Sequence, residues 1–72
     1  MKRDFRKLRA TLTEIAGEAP SHIERSDGGY VAFFGCELAA LRVAYAYRDQ
    51  RVTCEYREAL EAWSVTVLPR PI

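Results

Sequence analysis

The sequence is short of the residues that most enzymes and metal proteins depend on. Its 72 residues include one histidine, two cysteines and one tryptophan. A structural zinc site takes four closely paired ligands. His22, Cys36 and Cys54 have no such spacing, so neither a metal nor another cofactor is expected. Nucleophilic catalysis takes a Ser or Cys beside an oriented base. His22 is the one candidate base, and its neighbour Ser21 would point to the opposite face of a strand. There is no GxSxG, P-loop or HExxH pattern either, and the chain is not expected to be an enzyme.

Long apolar runs are also missing. No segment approaches the roughly 18 apolar residues of a membrane span. The opening Met1-Lys2-Arg3-Asp4-Phe5-Arg6 has no signal-peptide apolar stretch. The expected location is cytoplasmic, with Cys36 and Cys54 as free thiols. Net charge is nearly absent too, at +1. That balance suits neither a DNA-coating protein nor a disordered acidic tail.

What is present points to one small domain, residues 1–72, with 49% hydrophobic residues. The expected fold class is α+β: one N-terminal amphipathic helix packed on a four- to five-stranded antiparallel β-meander. Phe5, Leu8, Leu12 and Ile15 recur at helical spacing and predict a helix over 2–16, ended by Gly17 and Pro20. Strands are expected over 21–26, 30–35, 39–48, 51–57 and 63–68. Asp27-Gly28-Gly29 marks a hairpin turn. With a turn at Asp49-Gln50, a 39–48/51–57 hairpin opposes Tyr47 to Val52, Tyr45 to Cys54 and Val43 to Tyr56 on one apolar face. Residues 36–41 also read as a helical turn leading into the third strand, and 58–62 as a short helix before the last. The Leu68-Pro69-Arg70-Pro71-Ile72 tail is expected to be extended.

Charge is unevenly placed. Lys2, Arg3, Arg6, Lys7 and Arg9 face only Asp4, so residues 1–9 carry +4 and the remainder −3. Cations at a helix start oppose its dipole, which makes Lys2, Arg3, Arg6 and Lys7 candidates for an anion or nucleic-acid contact. In the predicted hairpin Arg42, Arg48, Arg51 and Arg57 share one sheet face, with tyrosines on the other. That arrangement disfavours base stacking and suits acidic-protein or phosphate contact. Phe33 points opposite to Phe34, so one of the two needs cover from a loop, a second subunit or a partner. Arg42, Arg48, Arg51, Arg57 and Phe33 are therefore the expected partner-binding residues.

The expected function is a small non-enzymatic protein-binding module: an inhibitor, adaptor or complex subunit acting by surface occlusion. A mobile-element inhibitor of a larger host machine is one instance of that size. The alternative is a nucleic-acid-binding accessory protein using the basic helix and the arginine face. A protein is the first expected partner, a second copy of the chain or nucleic acid the next, and a membrane is not expected.

Overall fold

A computed structural model describes residues 5–69. The element order is α1 (Arg6–Ala16), β1 (His22–Ser26), β2 (Gly29–Phe34), α2 (Glu37–Ala46), β3 (Arg51–Arg57), a 3₁₀ turn (Glu58–Leu60) and β4 (Ala62–Leu68). It is an α+β fold with a four-stranded antiparallel sheet, as the composition and periodicity predict.

The first half follows the local signals. In α1, Leu12 is fully buried while Phe5, Leu8 and Ile15 lie partly buried against the same core. Gly17 closes the helix at φ 86°, and its N–H donates to the Thr13 carbonyl at 2.9 Å. Only glycine adopts that left-handed geometry without strain. β1 and β2 form a hairpin in which Ser26 opposes Gly29. Its two turn residues, Asp27 and Gly28, both have positive φ, as a tight turn matching strand twist requires. Gly29 therefore belongs to the strand. A Cβ there would lie 1.9 Å from the Val67 carbonyl oxygen, so no other residue fits.

The expected strand over 39–48 is instead helix α2, and the 39–48/51–57 hairpin does not form. Helical propensity accounts for the difference: Ala39, Ala40, Ala44 and Ala46, with Leu38, Leu41 and Arg42, are among the best helix formers. The apparent register of Val43, Tyr45 and Tyr47 was a coincidence of spacing. Val43 is fully buried, whereas Tyr45 is 68% exposed. The helical turn expected at 36–41 thus runs on for five further residues, to Ala46.

This helix changes the sheet topology. The strand order is β1-β2-β4-β3, with every neighbouring pair antiparallel. β2 and β3 consequently run in the same direction, one on each side of β4, and α2 carries the chain between them. α2 lies on β2, β4 and β3, while α1 packs mainly against α2. Small side chains at Ala39 and Ala40 permit this close stacking, with Val43, Leu12 and Ala16 in the same cluster. From the sheet, Ile23, Ala32, Phe34, Val65 and Val67 complete the core. Burial of such side chains contributes roughly 1.5–3 kcal/mol each.

Candidate functional site

The expected arginine face is not assembled. Arg42 and Arg48 belong to α2 and the turn after it, whereas Arg51 and Arg57 sit at opposite ends of β3. Because Arg42 lies on a helix and Arg48 in the turn that ends it, these four side chains cannot share a sheet face. Arg42 Nη1 donates to the Ala16 carbonyl at 3.2 Å, closing an open acceptor at the C-terminus of α1. The Arg48 guanidinium stacks 4.2 Å above the Tyr45 ring and donates to the Tyr45 carbonyl at 3.0 Å. Arg57 Nε donates to Ser64 Oγ at 3.0 Å, and its Nη2 lies 3.7 Å from Glu55.

Phe33 also departs from expectation as a partner contact. It does turn to the sheet face away from the helices, but it is only 8% exposed. The His22 ring lies 5.9 Å away, and Leu60 and Ala62 line the same small hollow. The chain itself covers Phe33, through the 3₁₀ turn and the neighbouring strands.

Of the basic N-terminal candidates, Lys2 and Arg3 lie outside the described residues. Arg6 is the first residue of α1. Lys7 lines a cleft with Phe5, Leu8, Arg25 and Tyr30, between the helix start and the β1–β2 hairpin. Arg9 turns inward and donates to the Pro20 carbonyl at 2.7 Å.

Cys36 is a free, exposed thiol, and Cys54 a free, half-buried one. His22 Nε2 lies 3.1 Å from Glu24, and Ser21 Oγ donates to the Phe33 carbonyl at 3.2 Å. Burial, then the nearby Glu37 and Glu55 carboxylates, push the Cys54 thiol above its ordinary range. A thiol held protonated is a poor nucleophile. Among the described residues no three His, Cys, Asp or Glu side chains gather to hold a metal. No helix of the described residues is long and apolar enough to cross a membrane.

The most unusual surface lies where α2 meets β3. Leu38, Leu41 and Tyr45 are 54%, 46% and 68% exposed on one ten-residue helix. Tyr56 on β3 is 48% exposed and packs its ring 5.1 Å from Trp63. Beside Leu41 and Tyr45 a shallow concavity is also lined by Ala44, Arg48, Gln50 and Val52. The cause is architectural. α1 shields one flank of α2, and no described element covers the other. The spacing i, i+3, i+7 of Leu38, Leu41 and Tyr45 was readable as one helical stripe, but only once the segment is taken as helix. A strand reading conceals it.

Compared with family models, curated proteins and solved structures, the chain matches none of them. Its function therefore has to be read from this geometry.

Proposed function

We propose that the chain is a non-catalytic protein-binding module, an inhibitor, adaptor or subunit that acts by covering a partner's surface. The observation that supports it is the exposed apolar strip of Leu38, Leu41 and Tyr45 on one helix, α2. Large apolar side chains scattered singly over a surface are ordinary, whereas a contiguous patch is a recognition feature. The composition of this one suits that role. Tyrosine and arginine are enriched where binding energy concentrates, and the stacked Tyr45–Arg48 pair holds both in a defined geometry. Arg48 at the margin, lining the same concavity, suits a carboxylate on the partner.

The cationic side chains lend less support to the nucleic-acid alternative. Arg9, Arg42 and Arg57 each donate within the fold, and they do not converge on one groove. The test is retention of host proteins by the immobilised chain, compared with a Leu38→Glu/Tyr45→Ala variant. The expected result is a retained protein that the variant loses while its circular dichroism is unchanged. Equal retention by both would remove this surface as the binding site.

A further inference from the structure

We propose that β3 is a self-association edge: two copies of the chain join β3 to β3 antiparallel, about a two-fold axis at Thr53. This rests on the protein-binding reading of the α2–β3 surface and names a second copy as the partner there.

β3 is a seven-residue strand at the margin of the sheet, with β4 on its one paired side. Natural edges are commonly blunted by proline, bulges or charged side chains. Arg-Val-Thr-Cys-Glu-Tyr-Arg contains no proline, its register with β4 is continuous over all seven residues, and its charges, Arg51, Glu55 and Arg57, are of both signs. Among the described residues no strand pairs with its outer side.

The side chains decide which occupant fits. Val52, Cys54 and Tyr56 turn toward the helix face of the sheet, and Arg51, Thr53, Glu55 and Arg57 toward the opposite face. Ser64 Oγ donates to the Glu55 carbonyl at 3.2 Å, so that carbonyl is turned toward β4. By alternation Val52, Cys54 and Tyr56 present their N–H and C=O groups outward. Pairing about Thr53 sets Val52 opposite Cys54 of the second copy, and Cys54 opposite Val52. Both residues are outward-turned, so the two pairs exchange four backbone hydrogen bonds.

The same register sets Arg51 opposite Glu55 of the second copy, twice by symmetry. Competing registers are poorer. Centring on Cys54 pairs all seven strand residues but opposes Arg51 to Arg57 at both ends, and centring on Glu55 opposes two carboxylates; like charges directly opposite are destabilising. Centring on Val52 or Tyr56 pairs only three strand residues. The present Glu55–Arg57 contact is long, at 3.7 Å, and half exposed, so it is easily exchanged.

The neighbouring apolar surface supplies the remaining area. A stable interface buries on the order of 800 Å² per partner, more than a short strand ladder provides. Across the joint the two α2 helices would face each other over the paired strands. Leu41 and Ala44, which line the hollow beside Val52, lie on that flank. The closing contact is isologous and leaves β1 as the outer edge of an eight-stranded sheet.

The test is sedimentation equilibrium from about 1 μM to about 1 mM. The wild-type chain is expected to show twice the monomer mass at the upper end. Arg51→Glu or Glu55→Arg alone should weaken association by about tenfold or more, because each sets like charges in opposition. The double exchange should restore it. Independently, Thr53→Cys in a Cys36→Ser/Cys54→Ser background should form an intermolecular disulfide. Residues opposed in a non-hydrogen-bonded pair have Cα atoms roughly 4.5 Å apart, within disulfide range. A monomer at every concentration, or a double exchange that stays monomeric with no Thr53→Cys cross-link, overturns the proposal. A monomer that still retains a host protein through Tyr45 overturns self-association alone. A dimer whose host-protein retention survives Leu38→Glu/Tyr45→Ala overturns the α2 surface alone.

Discussion

α1 and α2 are nearly the same length, 11 and 10 residues, yet they treat solvent differently. α1 buries Leu12 and Ala16 and shows Lys7, Ala10, Thr11 and Glu14 to water. α2 buries Ala39, Ala40 and Val43 and shows Leu38, Leu41 and Tyr45. A helix that is apolar on every side belongs inside a protein. α2 is placed as an inner helix, with the sheet below it and α1 along one flank. Among the described residues no layer covers the flank toward β3. The contrast therefore locates the incomplete part of the fold, and it is the part most suited to a partner.

The strongest way to break this contrast is to truncate one leucine on each helix. Leu12→Ala should destabilise the chain by about 2–5 kcal/mol, since the side chain is fully buried. Leu41→Ala should stay within about 0.5 kcal/mol at concentrations too low for association. Urea denaturation of both variants decides it. Equal losses would mean that α2 is covered on both sides.

Next in size is the contact that lets α2 lie so close to its neighbours. Ala40→Leu, at a fully buried position, should overpack the interior at a cost of about 1–3 kcal/mol. A smaller shift in the denaturation midpoint would show that the space around Ala40 yields readily. The tie between the helices ranks below that. Arg42→Met keeps the aliphatic stem but leaves the Ala16 carbonyl without its donor, and about 1 kcal/mol should be lost. Thermal unfolding would measure it, and no change would assign the carbonyl to water.

The smallest effect is expected at Tyr30, between the Phe5–Leu8 end of α1 and Tyr47 after α2. Its hydroxyl is buried without a hydrogen-bond partner. Burial first, and then the neighbouring Tyr47, push its ionisation well above the ordinary 10.0. The sign follows from linkage. Above about pH 10 the unfolded chain loses the proton while the folded chain holds it, so folding stability falls as pH rises. Tyr30→Phe should be nearly neutral at pH 7 and should flatten the alkaline decline in the denaturation midpoint. An unchanged alkaline slope would assign the decline to other groups.

Much of the architecture was legible in particular residues. The Phe5/Leu8/Leu12/Ile15 spacing marked α1, Asp27-Gly28 marked the hairpin, and Trp63/Val65/Val67 marked β4. Glu58–Leu60 is the short helical turn that its composition suggested. The segment 37–46 was not legible as a full helix for a physical reason. Its outward positions hold Leu38, Leu41 and Tyr45 among Glu37 and Arg42, so the polar face is interrupted and the amphipathic signal is weak. The apolar exposure that makes α2 a candidate site is the same property that disguised it. The arginines misled in the opposite way, because a strand register for 39–48 gathered charges that the helix disperses.

By itself the sequence determined the local features: where α1 stops, which turn reverses the first hairpin, and which residues of β2 and β4 alternate inward. Each rests on the backbone preferences or spacing of a few adjacent residues. Only the tertiary structure decided that α2 lies on the sheet, that β4 separates β2 from β3, and that no described element covers the α2–β3 flank. Those outcomes depend on which elements compete for the same apolar face. With two helices available, α1 takes one side of α2, and no described element covers the other.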